Sequence, residues 1–223
     1  MSNDAPPSPG FFGKIPARGD FLARRVPPGL AGAWETWLQS LTVAAREAAA
    51  DGWPETWLTA PLWHFVLGAE VAPPHGAAGV LVASADRVGR MFPFTLIGAA
   101  DGSQHGTALS GWTQSAEGLI LAALDDGFDP ATLDAALVQL GPPPPVVGPD
   151  RIVGRWPAAL DDEWPEREDP LADDAPMTPG PGQSVWWCRG SDRIAPVWLR
   201  CTGLPGPRTS AAMVVGGDEV TPE

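Results

Sequence analysis

Two patterns of apolar residues alternate along the chain. In the first, apolar residues fill short runs almost without interruption, bounded by Gly and Pro: Trp63–Ala69 (WHFVLGA), Gly79–Ser84 (GVLVAS) and Phe92–Ala99 (FPFTLIGA). Runs of this length and composition predict strands buried on both faces. The first two are expected to pair across the loop Pro73–Gly79. Pro93 has no amide hydrogen, so it belongs at the start of the third strand or on a free edge. Gly10–Ile15 (GFFGKI) predicts a further short strand ended by Pro16. Ser184–Arg189 (SVWWCR) and Pro196–Cys201 (PVWLRC) predict an antiparallel pair around the turn Gly190–Arg193.

In the second pattern apolar residues recur every three or four positions. Leu30, Trp34, Trp37, Leu38, Leu41, Ala45 and Ala48 form one stripe and predict a long first helix, closed at Asp51-Gly52 by glycine in the left-handed conformation. Trp112, Ala116, Leu119, Ile120, Ala123 and Leu124 predict a second. Asp129-Pro130 supplies an acidic cap and a first-turn proline to a third, whose buried side is Leu133, Leu137 and Leu140 and whose end is Gly141. Pro205–Val215 carries no decisive pattern. Strands mixed with helices, without regular β-α-β alternation, predict an α/β domain whose mixed sheet is covered on both faces. The expected organisation is a disordered tail over 1–9, one domain over 10–216 and a frayed tail over 217–223. A Pro-rich and acidic excursion at 141–183 interrupts the domain, ordered around Trp156 and Trp164.

Composition narrows the function. The formal net charge of the 223 residues is −13, which argues against nucleic acid and anionic membrane surfaces, both of which need a positive footprint. Eight acids and one base lie within Asp161–Asp174, so more than half of that charge belongs to the excursion. The N-terminus lacks the basic and apolar regions of a secretory signal, and no apolar stretch is long enough to span a bilayer. With only two cysteines, Cys188 and Cys201, no disulfide framework exists, and a cytoplasmic protein is expected.

Lys14 is the only lysine and no Gly-rich loop ends in Lys-Ser/Thr, which excludes a P-loop. Gly76-Ala-Ala-Gly79 is too short for a dinucleotide fingerprint and precedes a strand. His64, His75 and His105 have no i, i+4 partner, and the cysteines lack nearby ligands, so neither a metal nor another cofactor is expected. The acidic run 161–174 lacks the central glycine of an ordered calcium loop. Ser84, Asp86 and His64 suggest a hydrolytic triad, but no G-x-S-x-G elbow surrounds Ser84, and Asp86 is too close to it to orient a base. A turn with side chains bonded to local amides is the simpler reading. Cys188 and Cys201 are placed to face each other across adjacent strands as small buried residues.

The remaining cluster is basic. Lys14, Arg18, Asp20, Arg24 and Arg25 crowd the N-terminal segment, and Ser84, Asp86, Arg87 and Arg90 repeat the theme mid-chain, with Gly13, Gly19 and Gly89 interleaved. Two readings stand beside each other: buried Arg–Asp pairs that lock tight turns, or a surface for an acidic or phosphorylated partner.

These segments also carry a family resemblance. Gly10–Phe21 (GFFGKIPARGDF) and Ser84–Thr95 (SADRVGRMFPFT) resemble the two signatures of the TagF/ImpM proteins that accompany bacterial type VI secretion systems. Trp34-Glu-Thr-Trp37-Leu38 and Ser184-Val-Trp186-Trp187 support it, and all four occur in the family's order. Phe12 stands where Tyr is common, and Ala83 where proline often precedes the serine. The resemblance implies a three-layer α/β/α sandwich and no catalytic residues. It implies a post-translational repressor of secretion that engages the forkhead-associated scaffold protein Fha and opposes activation by threonine phosphorylation. Some relatives carry a fused serine/threonine phosphatase, for which this chain has no room. The competing readings are a small phosphate- or carboxylate-binding protein or hydrolase with a pocket near Ser84, Asp86 and Arg90, and a structural subunit of the secretion baseplate. Oligomeric state is left open.

Overall fold

The computed structural model describes residues 7–100, 109–144 and 179–217. Its elements are β1 (Gly10–Gly13), β2 (Leu22–Arg24), α1 (Ala31–Ala49), α2 (Trp53–Leu58), β3 (Trp63–Leu67), β4 (Ala77–Val82), β5 (Phe94–Ala99), α3 (Leu109–Ala122), α4 (Pro130–Leu140), β6 (Gln183–Cys188), β7 (Val197–Thr202) and α5 (Pro207–Val215). The acidic run 161–174, Trp156, Trp164 and His105 lie outside the described residues, as do 1–6 and 218–223.

The strands form one seven-stranded sheet in the order β2-β1-β5-β4-β3-β6-β7. Each strand in the interior is apolar on both faces, because helices cover both. On β3, Trp63, Phe65 and Leu67 face the first layer while Val66 faces the second; on β6, Trp186 and Cys188 face the first while Val185 and Trp187 face the second. The first layer is α1, α2 and α5, contributing Trp34, Leu38, Leu41, Trp57, Met213 and Val214. The second is α3 and α4, contributing Trp112, Ala116, Ile120, Leu133 and Leu137. The fold is an α/β/α sandwich.

One expectation is corrected. The sheet is not mixed: all six pairings are antiparallel. Parallel neighbours require a helical crossover that returns beside its starting strand. Here β1–β2, β3–β4, β4–β5 and β6–β7 are direct reversals, and the helical connections β2-to-β3 and β5-to-β6 jump over intervening strands. The end of α1 also differs. Ala50, not Gly52, takes positive φ (46°) and its amide caps the Arg46 carbonyl. Ala48, expected in the stripe, is exposed. Strand β2 and helices α2 and α5 carried no sequence signal strong enough to predict them. Helix α4 matches its markers: Asp129 accepts from the Ala131 amide at 3.2 Å, Pro130 opens it, and Gly141 caps it at φ 71°. Pro9, within the stretch read as a tail, is buried and accepts from Arg25 Nε at 3.0 Å.

The tryptophans join the layers. Trp34 lies against Phe65 and stacks on Trp186 at 6.0 Å and 9°. Indole N–H groups reach carbonyls at loops and helix ends: Trp37 to Pro205 at 2.9 Å, Trp63 to Met213 at 2.9 Å, Trp112 to Gly141 at 3.0 Å and Trp57 to Ser84 at 2.8 Å. These four supply a large apolar body to the core and satisfy their single polar atom; Trp34, in the middle of the stack, buries its Nε1 without a partner.

Candidate functional site

Both signature segments are the long loops at one end of the sheet. Gly13, the last residue of β1, and Val82, the last of β4, both lie opposite Phe94, the first residue of β5. The β1–β2 and β4–β5 loops therefore leave the same end of the sheet, from β1 and β4 on either side of β5, and meet. Gly13 makes this possible: its φ is +127°, and a Cβ there would lie 1.9 Å from the Pro93 carbonyl oxygen. In the first loop Ile15 and Ala17 are buried, and Arg18 N–H closes a turn on the Ile15 carbonyl at 3.2 Å. Phe21 returns the chain by packing edge-on against Phe12 (4.7 Å) and Phe92 (5.4 Å).

The second loop is organised by Asp86, whose side chain is completely buried. Oδ1 accepts from the amides of Val88 (3.0 Å) and Arg90 (2.9 Å), and Oδ2 accepts from Lys14 Nζ (2.9 Å) and Arg90 Nε (2.6 Å). Burial pushes this carboxyl up, but the Lys14 ammonium, the Arg90 amide and guanidinium and the Val88 amide outweigh it and hold Asp86 well below the usual carboxylate range. Gly89 takes φ +82°, a conformation that favours glycine, and its amide bonds to the Asp86 carbonyl at 2.8 Å. The loops are tied directly as well: Arg87 N–H donates to the Arg18 carbonyl at 3.0 Å, and Arg90 Nη2 donates to the Gly19 carbonyl.

The predicted site residues thus divide. Lys14 and Asp86 are interior and lock the two loops together. Arg18, Asp20, Arg87 and Arg90 are exposed on the resulting surface. Arg18 has one loose ion pair, 3.5 Å to Asp129, between exposed groups. Arg24 belongs elsewhere. With Arg25 it pairs with Asp134 of α4, fastening edge strand β2 to the second layer. The Arg25 contact, opposed by burial and helped by Arg24, lowers the Asp134 pKa. The buried-pair reading therefore describes Lys14 and Asp86, while Arg18, Asp20, Arg87 and Arg90 stand on an exposed face. The structure also adds two residues to the surface: Phe21 is 42% exposed and Val88 68%. Their signal in the sequence was an apolar side chain set among charges and glycines at a loop tip.

Ser84 does not join a triad. It is buried, its hydroxyl has no hydrogen-bond partner, and its carbonyl accepts from Trp57 Nε1 and from the Phe92 amide at 3.0 Å. Asp86 bonds to local amides as the turn reading requires; Ser84 does not. His64 instead bonds through Nε2 to Glu117 of α3 at 2.9 Å and stacks on Trp187 at 5.1 Å. Burial lowers its pKa, against the pull of Glu117, favouring the neutral ring. The cysteines do not face each other: Cys188 lies opposite Val197 and Cys201 opposite Ser184. Burial pushes both thiols up to about 11. Among the described residues no three metal-ligating side chains converge, and no helix is long and apolar enough to cross a membrane.

Residues 10–140 match the TagF N-terminal domain, described as type VI secretion system-associated. The chain belongs to that family. Its fold is also that of PA0076 from Pseudomonas aeruginosa PAO1, known from a crystal structure at 2.05 Å: identity is 32%, TM-score 0.73, and the likeness covers 97% of this chain and 98% of that one. No curated protein is matched.

Proposed function

We propose that this protein is a non-enzymatic repressor of a bacterial type VI secretion system, acting in the cytoplasm by binding the forkhead-associated scaffold protein. The observation that carries the reading is the joining of the two family signatures into a single surface. Their buried charges hold the loops, and their remaining charges point outward. Residues arranged this way suit a preformed contact face, because ordering has been completed before a partner arrives.

The small-ligand and hydrolase readings draw less support from the same geometry. Every amide from Asp86 to Arg90 is engaged within or between the loops. None is left to cradle a phosphate or an oxyanion. Ser84 has neither access to solvent nor a base. The test has two arms. The protein, immobilised, is expected to retain the cognate scaffold from extract, and deletion of its gene is expected to raise secretion. Secretion that vanishes on deletion indicates a structural subunit instead, and failure to retain any type VI component refutes the proposal.

A further inference from the structure

We infer that the two-loop surface recognises a carboxylate-rich segment of its partner, in which Asp or Glu residues flank an apolar side chain. The inference rests on reading this face as the partner-binding surface, and it specifies the chemistry of what binds. Three guanidinium groups lie on loops that touch. Arg87 is exposed, and it is tied to the first loop through its backbone amide rather than its side chain. Arg18 has only its long contact to Asp129. Arg90 spends Nε and Nη2 on Asp86 and Gly19 and keeps Nη1. Asp20 is the one acid within the two loop tips that is left exposed, and Lys14 is already neutralised by Asp86. Exposed Phe21 and Val88 sit among these charges and supply apolar contact.

One physical argument favours carboxylates over a phosphate group. A phosphate dianion is gripped where several donors, backbone amides above all, converge on one point. Here the amides from Asp86 to Arg90 are all engaged, so only guanidinium groups remain. Guanidinium forks pair bidentately with carboxylates without help from backbone amides. The chain's net charge of −13 does not oppose this. At physiological salt charges are screened beyond about 8 Å, so the local face governs contact.

The full-length protein is titrated, by fluorescence anisotropy at low and physiological salt, with a short labelled peptide in which Glu residues flank a Phe. A Gln counterpart and a phosphothreonine peptide without carboxylate side chains are measured beside it. The expected result is binding of the Glu peptide that weakens with salt and about a tenfold or greater loss in Arg18→Glu and in Arg87→Glu. Melting is expected to be unchanged, and Glu35→Lys on α1 to bind as the native chain does. Equal binding of the Glu and Gln peptides, undiminished binding by both folded variants, or a preference for the phosphothreonine peptide overturns the inference. Parallel retention of the scaffold separates the two readings. If it is retained equally by the native chain and both variants, this inference falls and the proposed function stands. If the peptides behave as expected but the scaffold is not retained, this inference stands and the named partner falls.

Discussion

Asp86 and Asp134 have similar partners, two basic side chains each, yet one builds a surface and the other fastens an edge. Asp86 is fully buried and divides its oxygens between two backbone amides and two cations from different loops. Removing it leaves Lys14 in a cleft without its anion and frees the amides that shape the loop. Asp134 is 22% exposed and pairs with Arg24 and Arg25 through side chains alone. Among the described residues no backbone amide depends on it, so its loss leaves the chain path of the edge strand unaltered. Burial and backbone donors, not the number of ionic partners, set how much structure a carboxylate holds in place.

The comparison is broken most severely by Asp86→Ala. An uncompensated buried partner costs about 3–5 kcal/mol, so chemical denaturation should show a loss in that range. The same variant should lose scaffold binding because the loops come apart. Asp134→Ala is expected to cost only about 1 kcal/mol and to leave scaffold binding intact; equal losses for the two variants would erase the distinction.

Acid sharpens the contrast. Both carboxyls are held below their ordinary value, so each contributes stability that is present above about pH 4 and lost as pH falls through its folded pKa. The stability difference between the native chain and Asp86→Asn should therefore be constant near neutrality and shrink below about pH 4. His64 has the opposite chemistry but the same direction. Its folded pKa is lowered, so the neutral ring stabilises the fold at neutral pH. That contribution declines as pH falls below about 6.5. His64→Gln should flatten the stability profile between that point and the carboxylate range, measured by thermal melts across pH. Smallest of all, Arg87→Ala should change stability by less than about 0.5 kcal/mol, since its side chain is exposed; a larger shift in melting would show that Arg87 belongs with the locking residues.

Much of this fold was legible because its elements carry local signals. Six of the seven strands were visible as apolar runs, since strands buried on both faces carry few polar positions to interrupt them, and the edge strand β7 keeps Val197, Trp198 and Leu199 together. Helix α4 was marked at both ends by Asp129-Pro130 and Gly141. Strand β2, of only three residues, is held by β1 and Asp134 rather than by its own composition. Helix α5 has a first-turn proline, Pro207, and a terminal glycine, Gly216, as α4 does, but its N-cap Gly206 offers no capping side chain and its nine residues carry only a short apolar stripe. Apolar runs do not record where a crossover lands, so they leave the sheet's direction open.

At the site, the sequence by itself determined which residue types gather in two segments and that both segments turn sharply around glycines. It also determined the family, since the signatures are local strings. Only the tertiary structure decided that the segments meet, because β1 and β4 pair with the same residue of β5 from opposite sides. Their meeting sorts equal-looking charges into different roles: Lys14 and Asp86 inside, Arg24 at the sheet edge, Arg18, Arg87 and Arg90 outward. A charge near a turn has the same appearance in a sequence whether it is buried or free. Its role follows from the long-range contacts that desolvate it, and those exist only once the sheet has formed.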